Sequence, residues 1–135
     1  MEITVLCILS VLYLLAFFPS SVGKLKFYGK EWVAGNRSLK EGQRPFSEFD
    51  HWGARSERAY KNLQTNYPPF AVAVILITFL NLSNDWTMTL CWVYLIVRIL
   101  HFISYAYGVV APRALFWGIG WLINIGLLIY VALNV

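Results

Sequence analysis

Long apolar runs separated by short polar turns cover most of this chain, and they restrict the folds that it can adopt. The runs are Ile3 to Phe18, Tyr67 to Leu82, Trp86 to about Tyr107, and Pro112 to Val135. Hydrophobic residues make up 59% of the 135 residues and charged residues only 13%, whereas globular proteins carry roughly a quarter. The sequence therefore predicts an all-α integral membrane protein built as a bundle of four transmembrane helices.

We expect one domain, residues 1–135, with spans at about 3–19, 48–82, 86–107 and 112–134. The first run lacks the basic start of a signal peptide, because Met1 is followed by Glu2, and this favours a retained span. The apolar part of the second span is only about 24 Å long as a helix, short of the ~30 Å hydrocarbon core. Polar turns before it must therefore belong to the same helix and be shielded by other helices.

Two prolines, Pro68 and Pro69, fall inside this second helix. Each removes a backbone donor, which frees the carbonyls of Gln64 and Thr65 and predicts a bend. The freed carbonyls are satisfied by neighbouring helices or face a ligand.

The distribution of charge predicts the topology. Nine of the eleven lysines and arginines lie between Lys24 and Lys61, together with five of the seven acids. Basic excess beside apolar spans marks a cytoplasmic loop, so we expect residues 20–61 in the cytoplasm and both termini on the opposite side. The interleaved acids leave no clean basic stripe, so no nucleic-acid partner is expected.

Arg98 is the most costly residue of the chain, because it stands in the middle of the third apolar run. A central arginine costs about 2.5–3.5 kcal/mol on insertion scales. At helical spacing it shares one face with Tyr94, His101 and Tyr105. Intramembrane ionisable residues mark functional sites by default, although a network that only locks helix packing is the alternative.

The second and fourth helices contribute further polar residues to the same end. Arg113 follows Pro112 at the start of the fourth helix, where it either anchors the span to lipid head groups or helps to hold an anion or thiolate. The start of the second helix carries a polar stripe, for which a solvated face is the alternative. The stripe comprises Arg55, Arg58, Asn62, Thr65 and Asn66.

No metal site is predicted. His101 has only His51 as a possible partner, and no cluster of cysteines or carboxylates supports a ligand set. Cys7 and Cys91 lie inside apolar runs and are interpreted as inert core residues. Neither a nucleophile–base pair nor a phosphate-binding loop is present, so any chemistry needs a bound cosubstrate.

Three segments resemble motifs of the MAPEG family, the membrane-associated proteins in eicosanoid and glutathione metabolism. Residues 57–70 resemble its second-helix signature E-R-A-x-x-N-x-x-E-x-x-P-x-F. Residues 97–105 resemble the third-helix motif R-x-x-H-x-x-x-Y, and residues 111–117 resemble the R-x-L-x-F/W segment that follows it. The spacing and hydropathy match over nearly the whole chain.

The resemblance implies a four-helix subunit of a homotrimer, which binds glutathione between subunits near the cytoplasmic face. It implies a glutathione-dependent transferase or peroxidase of detoxification or lipid metabolism, acting on hydrophobic electrophiles or lipid hydroperoxides that partition from membrane lipids. Arg113 is implied as the catalytic residue that steadies the thiolate, and glutathione as the cosubstrate. The implied glutathione-binding positions are Arg58, Asn62, Thr65, Arg98, His101 and Tyr105.

Thr65 departs from the family pattern, since it stands where the second-helix signature has glutamate. That carboxylate would pair with the ammonium group of glutathione or with an arginine. Some relatives bind lipids or partner proteins without catalysis, so a non-catalytic binding protein of the same fold is the alternative function.

Overall fold

The computed structural model describes residues 1–135, and its regular secondary structure consists of helices without a strand. A short 3-10 turn at Phe46–Glu48 interrupts the loop before the fourth α-helix. The six α-helices are α1 Glu2–Leu15, α2 Phe17–Tyr28, α3 Lys30–Ala34, α4 Trp52–Phe79, α5 Asp85–Tyr107 and α6 Val110–Asn134.

The first span is longer than predicted. The expected end near Pro19 is wrong, because α1 and α2 form one rod from Glu2 to Tyr28 with a break at Ala16. Pro19 cannot donate to the carbonyl of Leu15, which accounts for the break. Pro19 itself lies in the first turn of α2, where a missing donor costs little, so the helix resumes and continues to Tyr28.

The second long helix, α4, begins at Trp52, about four residues later than predicted. The side chain of His51 caps it by accepting the backbone N–H of Gly53 at 3.2 Å. Both Pro68 and Pro69 lie within the helix, as predicted. Its 28 residues span about 42 Å, although the polar first half sets α4 apart from the three segments that are apolar enough to cross a membrane.

Those three segments are Glu2–Tyr28, α5 and α6. Asn84 starts α5 with a capping box, and Gly108 ends it in the left-handed conformation, at φ +76°. Helix α6 starts two residues before Pro112, which therefore occupies its third position and not the predicted first. The backbone N–H groups in the first turn of a helix have no acceptor within the helix, so a proline, which lacks an N–H, is tolerated there.

Helices α1, α4, α5 and α6 enclose the core, in which the rings of Phe70 and Tyr94 stack at 4.0 Å. At one end, buried Glu2 accepts hydrogen bonds from Ser83 at 2.6 Å and Thr87 at 2.7 Å. At the other end, Arg55 donates to the carbonyl of Ala106 at 2.9 Å, which joins the start of α4 to the end of α5. The 29–51 loop and the α5–α6 turn therefore share one end of the bundle.

Candidate functional site

The polar face of α5 is directed into the bundle, toward α4 and α6. Tyr94, Arg98 and His101 are buried and Tyr105 is half-buried. Their spacing of three and four residues places them above one another on one side of the helix. The ladder that the sequence predicted is therefore an interior feature, closed on the other side by groups of α4 and α6.

Arg98 is only 3% exposed, so its guanidinium faces neither lipid nor solvent. Nη2 donates to Oδ1 of Asn66 at 3.4 Å, and Cζ lies 4.9 Å from the centre of the Tyr94 ring. Gly120 leaves the space for it, because a Cβ at that position would lie 2.5 Å from Nη2 and 2.9 Å from Nε. Nε and Nη1 have no hydrogen-bond partner.

The backbone carbonyl of Asn66 connects the three helices at this depth. It accepts hydrogen bonds from the Tyr94 hydroxyl at 2.9 Å and from Nδ2 of Asn124 at 3.1 Å. Asn124 is 5% exposed, and its Oδ1 has no partner. Asn124 was not among the predicted site residues, although a lone amide inside the apolar run of α6 is itself a sign of a polar contact between helices.

A second cluster lies at the loop end of the bundle, around the ring of Tyr105. The guanidinium of Arg113 lies 4.7 Å from the centre of this ring and that of Arg58 lies 6.0 Å from it. The His101 ring stands edge-on at 5.7 Å. Two cations that come from different helices thus lie near one aromatic side chain.

His101 ties this cluster to the start of α6. Its Nδ1 lies 3.0 Å from the backbone carbonyl oxygen of Arg113. A carbonyl only accepts, so Nδ1 carries the proton in the neutral ring and Nε2 becomes an acceptor. Nε2 is buried and has no partner, which leaves it free for a donor on a ligand.

Arg58 also fixes the loop, since it donates to the carbonyls of Ser47 and Phe49, the latter at 3.0 Å. Asn62 and Thr65 lie outside the Tyr105 cluster. They line a groove of about 440 Å³ between α4 and α6, which Asn66, Trp117, Trp121 and Asn124 also line. Thr65 is exposed, and its hydroxyl donates to the carbonyl of Lys61 at 3.1 Å.

The predicted site residues therefore fall into three groups. Arg58, His101, Tyr105 and Arg113 come together around one ring; Arg98 lies deeper, with Asn66 and Asn124; Asn62 and Thr65 line the adjoining groove. Arg55, also in the predicted stripe, joins α4 to α5 and pairs with Asp50 at 2.9 Å.

The charges of this region are unbalanced. Every ion pair of the chain lies elsewhere, and no carboxylate comes within 4.0 Å of Arg58, Arg98 or Arg113. Glu57 is the only acid on this part of α4, and it is held by Lys24 at 2.7 Å and Lys61 at 3.7 Å. None of the three arginines is therefore paired with a carboxylate.

Three helices apolar and long enough to cross a membrane, in a bundle that buries the guanidinium of Arg98, define an integral membrane protein. The model of the MAPEG family matches residues 3–133, nearly the entire chain. The chain belongs to the MAPEG family, which confirms the resemblance seen in its motifs. Family membership supports a glutathione-related, transferase or eicosanoid type of function in the membrane. Neither a curated protein nor a solved structure matches the chain.

Proposed function

We propose that this protein is a glutathione-dependent transferase or peroxidase, which acts on hydrophobic electrophiles or lipid hydroperoxides within the membrane. The observation that carries the proposal is the set of three arginines, Arg58, Arg98 and Arg113, gathered along one face of α5 without a carboxylate. Glutathione is a polyanion at neutral pH once its thiol ionises, and so it supplies the missing negative charge.

The apolar helices of a second copy of the chain would not supply this charge. The only acids within α1, α2, α5 and α6 are Glu2 and Asp85, both at the opposite end of the bundle from Arg113. A buried cation left unpaired is costly, so its retention favours a ligand that pairs with it. The orphaned Nε and Nη1 of Arg98 and Nε2 of His101 are the groups that such a ligand would satisfy.

Each residue has a role that follows from its position. Arg58 and Arg113 hold the anionic groups on either side of Tyr105, and Asn62 and Thr65 contact the part of the ligand that lies in the groove. Arg98 and His101 form hydrogen bonds with polar groups of the ligand deeper in the bundle. Tyr105 lies between these two residues and the loop. Bound glutathione supplies the sulfur nucleophile. A thiol titrates near 8.5, and the fixed cation of Arg113 raises its thiolate fraction at neutral pH.

The second substrate reaches the site from the bilayer. A cleft of about 240 Å³ opens between α1, α2, α4 and α5, and Arg98 is its only charged lining residue. Its walls are otherwise aliphatic or aromatic, including Leu12, Leu63 and Phe102. An apolar electrophile dissolved in lipid would enter here more readily than from water.

The proposed architecture is a single domain, residues 1–135, with four spans in a homotrimer. Helix α4 is the fourth span, since its apolar second half continues the bundle and its polar first half carries the site. The basic 20–61 segment faces the cytoplasm and both termini lie opposite. The site then opens toward the cytoplasm, where glutathione is abundant and reduced.

Thermal unfolding and turnover of the purified protein in detergent test this proposal. Millimolar glutathione should raise Tm by ligand linkage, and thioether formation with a hydrophobic electrophile should be measurable. Arg113→Ala should abolish the thiolate absorbance and lower turnover by about 10²- to 10³-fold, the usual loss for one electrostatic donor. Arg44→Ala, on the exposed loop, serves as the control. Turnover unchanged by Arg113→Ala would remove this residue from the mechanism.

Thr65 favours the alternative, a non-catalytic membrane protein that binds a lipid or another protein. Its exposed hydroxyl is engaged with the carbonyl of Lys61 and brings no charge to the site. Co-purification of a stable second protein or a lipid, together with no thioether formation and no glutathione-dependent change in Tm, would establish this function in place of the first.

A further inference from the structure

The excess of positive charge at the site determines which class of thiol it binds best. We propose that the site selects an acidic thiol without a free ammonium group, so that the α-ammonium of glutathione contributes nothing to binding. This inference rests on the proposed function, namely that the site binds a thiol. The class of preferred ligand is a thiol with two or more anionic groups and a blocked or absent amine.

The helices that form the site hold a single carboxylate at this end, that of Glu57. Its Oε1 pairs with Lys24 of α2 at 2.7 Å, and its Oε2 is buried without a partner. Arg58, Arg98 and Arg113 project from α4, α5 and α6, whereas Glu57 is the single acid there. Glu57 is already shared between Lys24 and Lys61, so two cations compete for its charge. A ligand ammonium placed among the three arginines meets positive charge without compensation.

Neutral groups near the groove do not change this balance. The Thr65 hydroxyl donates to the backbone carbonyl of Lys61. Nδ2 of Asn66 donates to Oδ1 of Asn62 at 3.4 Å, so these two amides interact with each other. Asn124 adds one unpartnered carbonyl oxygen, which is an acceptor without charge. These groups offer hydrogen bonds to an amide N–H as readily as to an ammonium group.

Assembly of several copies does not supply the missing carboxylate either. Each copy brings the same α4, α5 and α6, and therefore the same excess of arginine. The other acids at this end lie on the loop and are all exposed: Glu31, Glu41, Glu48 and Asp50. Two of them, Glu48 and Asp50, also pair with arginines. Exposed carboxylates are solvated and compensate a buried charge poorly.

The experiment compares glutathione with N-acetylglutathione, in which the α-amine is acetylated while the thiol and both carboxylates remain. Calorimetric titration of the purified full chain at low ionic strength gives Kd for each. We expect the acetylated compound to bind at least as tightly as glutathione. Adding a carboxylate in Thr65→Glu should reverse the preference and tighten glutathione alone by about tenfold, the effect of one charge-assisted contact. Thr65→Gln, which matches Glu in size without its charge, should change the Kd of both compounds by the same factor and so keep the native ratio.

Two results would overturn the inference while leaving the proposed function intact. One is a loss of tenfold or more on acetylation in the native chain, which would mean that the ammonium is recognised. The other is a Thr65→Glu variant with the same ratio of Kd values as the native chain. Failure of both compounds to bind would overturn the proposed function, and this inference with it.

Discussion

Gly120 sets the position of the most costly side chain of the protein. Its lack of a side chain admits the Arg98 guanidinium, and Gly120→Ala would place a Cβ 2.5 Å from Nη2. We expect this variant to displace Arg98, to destabilise the protein by about 1–3 kcal/mol as overpacking does, and to weaken glutathione binding. Gly126→Ala is the matched control on the same helix, because its Cβ would meet nothing within 4 Å. Equal Tm and equal Kd in the two variants would contradict this role for Gly120.

The interior network also depends on Asn124, which like Gly120 lies on α6. Its Nδ2 donates to the Asn66 carbonyl, which also accepts from Tyr94. Asn124→Leu keeps the size of the side chain but removes this donor, so a loss of about 0.5–1.5 kcal/mol is expected from denaturation in detergent. Asn134→Leu, at the exposed end of α6, should leave the stability unchanged. A destabilisation of similar size in both variants would argue against a specific network.

Among the helices, the ends bounded by polar turns were predicted well. The ends at which a helix continues from an apolar into a polar segment were not. Helix α5 begins one residue before the apolar run at 86–107 and ends with it, and Asn84 and Gly108 cap its two ends. Helix α2 was missed because Pro19 was interpreted as a stop, whereas a proline in a first turn is compatible with a resumed helix. The convergence of Arg58, Tyr105 and Arg113 follows from the motifs, but the role of Asn124 required the packing of α6 against α4.

Arg55 joins two of these helices, and its removal should act on the junction and not on the whole bundle. Its Nε donates to the carbonyl of Ala106, one of the last carbonyls of α5, which have no partner within the helix. In Arg55→Ala we expect faster hydrogen exchange in residues 104–110 and a stability loss of about 1–2 kcal/mol. Arg44→Ala, on the exposed loop, should leave exchange there unchanged. Faster exchange spread evenly along α5 would instead indicate general loosening.

For the protein as a whole, an unpaired buried guanidinium lowers the stability of the ligand-free state but favours binding of an anionic ligand. Arg98→Met fills a similar volume without a charge, and replacement of buried charged groups by apolar ones is often stabilising by about 1–4 kcal/mol. We therefore expect a higher Tm without ligand but little or no rise on addition of glutathione. Arg58→Met should have the opposite effect on the ligand-free protein, since Arg58 donates to the carbonyls of Ser47 and Phe49 and its loss frees the loop. The two variants thus separate a cation kept for a ligand from one that also supports the fold. A lower ligand-free Tm in Arg98→Met would show that Arg98 serves the packing of the helices, because its contacts with Asn66 and the Tyr94 ring would then outweigh the cost of its burial.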